Sequence, residues 1–400
     1  MDYDPFSPAI AENPYPTYRW LRDHAPVYRS PTHGFHALSR HDDVLAALLD
    51  HDTFLTSHGT TLEGIEQGFD TLLTTDPPAH EWNRRILARR FSVTRVQELE
   101  GRIRAVAADL LDAARASGRL DLVTGFCAQL PLTIIADLLA LPAEQRERVH
   151  ELCFLLLDRG PEDTPGVRPP ASVAAGEELA TLFLTLVAQR RAEPGDDLIS
   201  LLVHTPVVDD AGGESFLDDG QLLGRLIELT FAGHETVKKL VSTGAVRLAE
   251  NPGARRELVA DPTLIPGAVE EMLRIDPPAQ YTGRWTSRDV ELHGTVIPAD
   301  SRVVLLLGSA CHDERVHPDP EAFDLRRQIG RQLGFGYGIH LCVGAAFARL
   351  EARIAFAELL VRYPDYEIDY AGVVRTYSSN QPGLKSLPLV LTPAAIADPV

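Results

Sequence analysis

The stretch Phe335-Gly336-Tyr337-Gly338-Ile339-His340-Leu341-Cys342-Val343-Gly344 says more about the fold than any other part of this sequence. Its glycines indicate a sharp loop that presents Cys342 where an apolar helix begins, near Gly344. A thiol at a helix N-terminus is biased toward thiolate by the helix dipole, and thiolate is the form that binds a metal. The alternative is a buried, inert cysteine beside a glycine turn. The pattern favours the metal ligand.

Composition limits the classes of protein that the chain can be. The 400 residues are 44% hydrophobic along their whole length, which fits one domain over residues 1–400. A net charge of −19 argues against nucleic acid or an anionic membrane as the main partner. No apolar run approaches the roughly 20 residues that cross a bilayer, and the N-terminus lacks a signal segment. We therefore expect a soluble, cytoplasmic protein.

Two residue types are distributed unevenly. The four cysteines show no zinc-like spacing, and we expect all of them to be reduced. Lysine occurs only at positions 238, 239 and 385, which suggests a GC-rich genome and says little about chemistry. Arginines are bunched in one stretch, at positions 84, 85, 89, 90, 95, 102 and 104.

Hydrophobic periodicity predicts a mainly α protein with a small β-rich lobe, an α+β fold. Apolar residues recur every three or four positions from about 78 to 193, and a long helix is predicted over 216–250, stopped by Asn251-Pro252. Short β-type runs lie within 280–307 and at 387–391. The proline-rich segment 160–170 predicts an exposed loop between helices, and we consider it a candidate lid over a substrate entrance.

The long helix contains Ala232-Gly233-His234-Glu235-Thr236. Glycine inside a helix costs up to about 1 kcal/mol relative to alanine, so Gly233 suggests that something flat passes close to the backbone. The hydroxyl of Thr236 can bond the carbonyl of Ala232 and bend the helix. The alternative is a solvent-facing Glu235 and a helix-bending threonine. The segment predicts a polar notch with an acid beside it.

These segments resemble the cytochrome P450 family. F-G-x-G-x-H-x-C-x-G is similar to its haem-binding loop, which implies that Cys342 is the metal ligand and that Phe335, Gly336, His340 and Gly344 shape the cofactor site. A-G-x-[DE]-T is similar to its oxygen-activation motif, which implies catalytic roles for Glu235 and Thr236, with Ala232 and Gly233 beside the cofactor. Val237 stands where the family usually has Thr or Ser.

Further matches follow the same order along the chain. Glu271-x-x-Arg274 resembles the structural ion pair of the family, whose usual third member is missing or replaced here because Ala322 stands at that position. The resemblance also implies that the two haem propionates are held by four residues, His80, Arg84, Arg284 and His340. Candidate substrate-lining positions are Leu72, Leu73, Leu229, Ala232, Tyr281 and Thr282.

The resemblance implies a P450 fold, haem b, and insertion of one oxygen atom from O₂ into a small apolar organic substrate, such as a secondary metabolite. Electrons would come from a ferredoxin-type partner with its reductase, and the arginine-rich stretch is a candidate docking surface for it. Two alternatives stay open: a peroxide-using peroxygenase of the same fold, and a non-catalytic P450-like partner protein. The Glu235–Thr236 pair argues against the first alternative, and the intact Cys342 argues against the second.

Overall fold

Helices dominate the computed structural model, which describes residues 2–64, 70–157, 163–164 and 167–392. The α-helices of these ranges are α1 (Pro8–Glu12), α2 (Tyr15–His24), α3 (His41–Leu49), α4 (Ala79–Arg90), α5 (Val93–Gln97), α6 (Glu100–Ala113), α7 (Gln129–Leu138), α8 (Ala143–Leu157), α9 (Pro170–Ala192), α10 (Leu198–His204), α11 (Asp219–Glu250), α12 (Pro252–Ala260), α13 (Ile265–Ile275), α14 (Leu307–Cys311) and α15 (Ala345–Arg362). A π-helix, Val123–Cys127, runs into α7.

The strands are short and form small sheets. They are β1 (Val27–Arg29), β2 (His36–Leu38), β3 (Phe54–Leu55), β4 (Arg119–Asp121), β5 (Val207–Val208), β6 (Glu214–Ser215), β7 (Thr282–Thr286), β8 (Val290–Leu292), β9 (Thr295–Ile297), β10 (Arg302–Leu305), β11 (Asp365–Ile368), β12 (Val374–Thr376), β13 (Gly383–Ser386) and β14 (Pro388–Thr392). The largest sheet has the order β1-β2-β10-β7-β3, and a second sheet has the order β11-β14-β4. The predicted α+β class is confirmed.

Helix α11 is the central element. It begins at Asp219, three residues later than predicted, because Asp218 and Gln221 form a capping box that fixes the first turn. Phe216, inside the predicted helix, lies outside it with an exposed side chain. The 32 residues of α11 span about 48 Å, and Leu226, Leu240 and most other apolar side chains on it are buried. The helix therefore supplies a continuous wall through the interior.

The other segment predictions hold with local corrections. The helix after the cysteine loop is α15, and it packs against α6, α11 and α13. The predicted tail strand is β14. The helical region 78–193 is interrupted by β4 and the π-helix. Residues 160–162 and 165–166 of the candidate lid segment lie outside the described residues, so the lid stays a prediction.

One helix is long and apolar enough to cross a membrane by length and composition alone. It is α9, whose most apolar window is 39% buried in the protein. Phe183 and Leu186 on its inner face are buried in the main hydrophobic core. Core helices of ordinary proteins meet the same criterion, so this one observation is weak evidence.

Candidate active site

An internal cavity of about 730 Å³, called the chamber below, lies between the cysteine loop and the middle of α11. The predicted cofactor and catalytic residues all line it: His80, Arg84, Ala232, Gly233, Glu235, Thr236, Arg284, Phe335, Gly336, His340, Cys342 and Gly344. The predicted substrate positions Leu72, Leu73, Leu229, Tyr281 and Thr282 line it as well. Its wall is mainly apolar, as expected of a site for an organic ligand.

Backbone geometry opens the cysteine loop toward the chamber. Gly336 and Gly338 have φ angles of +69° and +71°, which side-chain-bearing residues rarely adopt. A Cβ atom on Gly338 would also lie 2.6 Å from the carbonyl oxygen of Leu48, so only glycine fits. The N–H of Cys342 donates to the carbonyl of Phe335 at 3.0 Å, which closes the loop. Cys342 is thereby presented to the cavity.

Cys342 differs from the other cysteines in its surroundings. Cys127, Cys153 and Cys311 are buried in packed side chains, whereas the accessible surface of Cys342 faces the chamber. Burial raises the pKa of the Cys342 thiol, although the Gly344 N–H lowers it. Helix α15 begins only at Ala345, so Cys342 precedes its first turn, and the expected bias toward the thiolate stays a prediction. A bound metal ion would itself deprotonate the thiol.

The middle of α11 forms the opposite wall. Thr236 Oγ1 donates to the carbonyl of Ala232 at 2.9 Å, as predicted. Gly233 also packs closely against a neighbouring helix. A Cβ atom there would lie 2.7 Å from Cδ1 of Ile135 on α7, so this side chain would have to shift to admit a larger residue. Close packing of α7 is a second reason for a glycine here, beside the predicted flat ligand.

Glu235 is held between two lysines. Its Oε2 lies 2.5 Å from Nζ of Lys238, and its Oε1 lies 3.1 Å from Nζ of Lys239. Burial alone would raise the pKa of Glu235, but the charges of Lys239 and Lys238 overcome it and hold that pKa well below its ordinary value. The carboxylate is therefore ionised at neutral pH. A solvent-facing Glu235, the alternative interpretation of this segment, is excluded because only 3% of the residue is exposed.

Four nitrogen-bearing side chains surround the part of the chamber near the cysteine. The rings of His80 and His340 lie 4.2 Å apart, and burial lowers their pKa values to about 4 and about 3, so both are neutral at pH 7. Arg84 donates to the carbonyl of Leu341, and Arg284 to Gly283 and Thr282. Neither arginine has a carboxylate within ion-pair distance in the described part of the chain. The site thus carries two cations without a direct ion pair, and the charge of Asp76 favours the cationic form of Arg284.

These residues fit the cofactor that the sequence suggests. Both ring nitrogens of His80 are buried and have no hydrogen-bond partner among the described residues, which is costly unless a ligand supplies one. Arg84 and Arg284 match the two propionates of haem in charge and number. Within the described ranges no group of three or more His, Cys, Asp or Glu side chains could hold a metal ion, so Cys342 is the candidate protein ligand.

The Glu271–Arg274 pair forms as the E-x-x-R spacing predicts. The guanidinium donates to both carboxylate oxygens, with Nε–Oε2 at 2.7 Å and Nη2–Oε1 at 2.8 Å, and both residues are fully buried. The third member is replaced by Arg327, whose Nε lies 3.0 Å from Glu271 Oε1. Ala322 contributes its carbonyl, which accepts from Arg327 and Arg274. Arg327 could not be predicted as this partner because the chain between Glu271 and Arg327 has no regular period.

Three charged chamber residues were also missed. Lys238, Lys239 and Lys385 all line the chamber, so every lysine of the chain borders this one cavity. The sequence analysis drew no chemistry from the scarcity of lysine, which was the one available signal. Glu63 is a further acid on the wall, and its Oε1 accepts from the N–H of Ser379 at 2.5 Å.

Comparison with known proteins agrees with this geometry. The profile of the family described as Cytochrome P450 matches residues 175–368. Cytochrome P450 130 from Mycobacterium tuberculosis is 36% identical over 384 residues, covering 92% of this chain and 93% of its own. Cytochrome P450 monooxygenase PikC from Streptomyces venezuelae is 36% identical over 402 residues, covering 97% and 94%. A mutant of P450 EryK, solved in complex with erythromycin B, superposes with a TM-score of 0.85 at 32% identity over 98% of both chains.

Identity of this level extends over more than nine-tenths of the chain, and the fold is shared over 98% of it. The cofactor implied by the relatives is a haem-thiolate, and the reaction class is that of an oxidoreductase. The chain belongs to the cytochrome P450 family and is a bacterial-type P450 monooxygenase.

Proposed function

We propose that the protein binds haem b through Cys342 and inserts one oxygen atom from O₂ into a small, largely apolar organic substrate, with electrons from a ferredoxin-type partner. The observation that carries this proposal is the position of Cys342. It borders the chamber opposite Thr236, with Arg84 and Arg284 as cations for two propionates. Haem with a thiolate ligand supplies the activation of dioxygen when it is bound. A single domain over residues 1–400 and a cytoplasmic location belong to the same proposal.

The residues of the chain would exclude water and hold protons. The apolar wall, with Leu229 and Leu72 among its members, keeps the chamber dry around an organic ligand. The hydroxyl proton of Thr236 is directed to Ala232, so its oxygen can accept a further hydrogen bond from the chamber. Glu235 is ionised and accepts hydrogen bonds from Lys238 and Lys239. In this arrangement Glu235 is an acceptor and the lysines are the donors.

Carbon monoxide binding to the reduced, haem-loaded protein tests the ligand. Wild type should give the red-shifted Soret band of a thiolate ligand, and Cys342→Ala should lose that band or fail to retain haem. Cys311→Ala is the matched control, since this cysteine is buried away from the chamber. An unchanged band in Cys342→Ala would exclude Cys342 as the ligand and with it the proposed site.

The substrate class is supported by what the relatives bind. EryK of the same fold is solved with erythromycin B, and the chamber of this chain is large and mainly apolar. We propose a substrate of the secondary-metabolite kind. Titration of such compounds into the haem-loaded protein should shift the Soret band from the low-spin to the high-spin position. Substrates identified in this way should give a product that is heavier by one oxygen atom.

Only part of the arginine-rich stretch is available as a docking surface for an acidic electron donor. Most of its arginines are already neutralised: Arg85, Arg95, Arg102 and Arg104 pair with acids. Arg89 and Arg90, at the end of α4, have no acid within ion-pair distance among the described residues, and Arg89 is exposed. The candidate surface is therefore smaller than the sequence suggests. It consists of the end of α4.

Charge reversal tests this surface. Arg89→Glu should slow reduction by a ferredoxin at low salt and leave substrate-induced spectral shifts unchanged. Arg256→Glu on α12 makes the same change in net charge at an exposed arginine and is the matched control. Equal reduction rates for the two variants, at low and at high salt, would place docking on another surface.

A peroxygenase is the second candidate, and the state of Glu235 favours it. A monooxygenase reaction needs O₂, two electrons and two protons for each oxygen inserted, with water as the second product. Hydrogen peroxide brings those electrons and protons itself. Because both oxygens of Glu235 are occupied by lysines, its capacity to deliver protons is reduced. The rate of product formation with hydrogen peroxide should be compared with the rate with O₂, ferredoxin and reductase. A peroxide-driven rate that is equal or higher would indicate a peroxygenase.

A further inference from the structure

Two buried ammonium groups share one carboxylate beside the chamber. Only 6% of the Lys238 side chain and 5% of the Lys239 side chain is exposed, and both contact Glu235. Moving a cation out of water is costly unless a counter-charge and hydrogen bonds compensate for lost hydration. One carboxylate can balance one of these lysines. Glu63 also acts by charge on Lys239, whereas Glu235 is the one acid within ion-pair distance of Lys238 among the described residues.

The two lysines differ in how their N–H donors are used. Lys239 reaches Glu235 Oε1 and both the backbone and the side-chain oxygen of Gln381, so its three donors have acceptors. Lys238 has Glu235 as its one hydrogen-bond acceptor in the described ranges. Its other neighbour is the ring of Phe154, whose centroid is 5.5 Å from Nζ. Lys238 is thus a buried cation with two donors still available.

Glu235 is the one acid within ion-pair distance of Lys238 in the described part of the protein. His234 is next to Glu235, but burial lowers its pKa to about 4, so it does not carry a charge that competes for Glu235. The carboxylate of Asp121 already accepts from the N–H groups of Val123 and Thr124 and from the hydroxyl of Ser386. Lys238 lines the chamber together with Phe154, Thr124 and Gln129. The available donors therefore belong to the wall of the ligand cavity.

We propose that Lys238 binds a carboxylate group of the substrate in the chamber. A carboxylate would give Lys238 a counter-charge that it does not share with Lys239, and it has two oxygens for the two available donors. The phenyl ring of Phe154 beside Nζ provides an apolar contact for the carbon chain that follows. This inference rests on the proposed function and narrows it: the substrate is an apolar acid, anchored at its charged end. The carbon that is oxidised is then set by its distance from that end.

The test uses the haem-loaded protein and a series of probes that bind whether or not the natural substrate has been identified. The probes are ω-imidazolyl alkanoic acids of graded chain length and the primary amides of the same acids. The imidazole group shifts the Soret band on binding, so the affinity of each probe can be measured. Comparing each acid with its amide shows whether the chamber prefers a charged carboxylate. For the chain length that reaches Lys238, the acid should bind about tenfold more tightly than its amide.

Three variants test whether Lys238 binds the carboxylate of a ligand or has a purely structural role. Lys238→Met should abolish the preference for the acid and leave the affinity for the amide unchanged. Lys238→Arg should keep the preference because it keeps the charge. Lys239→Met is the matched control and should keep it too, since the donors of Lys239 are already used.

The outcomes also distinguish this inference from the proposed function. Equal affinity for acid and amide at every chain length would refute the carboxylate site. If the protein still binds haem and the imidazole probes in that case, the proposed function is not affected. A preference that persists in Lys238→Met would refute the assignment to this lysine. Failure of the wild-type protein to retain haem would refute the proposed function and this inference together.

Discussion

Replacing Arg327 with methionine should destabilise the protein by about 3 kcal/mol. Its guanidinium donates to Glu271 Oε1 at 3.0 Å and to the carbonyls of Pro318 and Asp319 at 2.7 and 3.0 Å, and 10% of its side chain is exposed. Breaking a buried ion pair costs about 3–5 kcal/mol when it leaves a charge unpaired. Glu271 would keep Arg274, so the lower end of that range is expected.

The neighbouring Arg326 is a matched control. It pairs with Glu257, but 58% of its side chain is exposed, so Arg326→Met should cost about 0.5 kcal/mol or less. Urea unfolding of the haem-loaded variants, followed by far-UV circular dichroism, measures both changes. Adding Ala322→Arg to Arg327→Met should recover part of the loss, because Ala322 is exposed and lies beside the pair. Equal urea midpoints for the two single variants would refute the reasoning.

Three further substitutions test other features. Glu351 is fully buried, neither carboxylate oxygen has a hydrogen-bond partner among the described residues, and burial raises its pKa well above the ordinary value. The pKa of Glu351 is higher in the folded than in the unfolded protein, so its contribution to stability falls as pH rises above about 4.5. Glu351→Gln should therefore raise the urea midpoint more at about pH 8 than at about pH 5. An equal rise in the midpoint at the two pH values would contradict a buried, protonated Glu351. Gly233→Ala should cost about 1–3 kcal/mol by crowding Ile135, and Ile135→Val should restore part of it; a neutral Gly233→Ala would contradict the close packing. Arg284→Met should speed haem transfer to apomyoglobin relative to an exposed control, Arg288→Met, and equal rates would argue against a propionate contact.

Local patterns are sufficient to predict the elements that frame the chamber. The glycines around Cys342 specify a loop by their backbone freedom, and the E-x-x-R spacing places Glu271 and Arg274 on one face of α13. The long apolar period correctly predicts α11, although the predicted start lies before the capping residue Asp218. These features depend on residues that are close in sequence. Pattern and spacing therefore predict them.

Contacts between distant segments cannot be predicted in the same way. Arg327 reaches Glu271 across 56 residues, and Gly233 packs against Ile135, which lies 98 positions earlier. Nothing in the sequence near either residue marks the partner. The neutralised arginines show the same limit, since Arg104 meets Glu358 on α15 from 254 positions away. Whether an arginine is part of a basic surface depends on such long-range neighbours, and local sequence does not contain them.

The placement of the lysines has a practical consequence for chemical modification. A typical protein offers many surface amines to coupling reagents, but this chain has three lysines, of which Lys238 and Lys239 are buried. An amine-reactive dye or resin would therefore attach at the α-amino group or at the exposed Lys385, which borders the chamber. Immobilising the protein through its amines could therefore block the chamber, so the protein should be coupled to a resin through a functional group other than an amine. Conversely, an amine-reactive label on Lys385 would act as a reporter placed at the edge of the chamber.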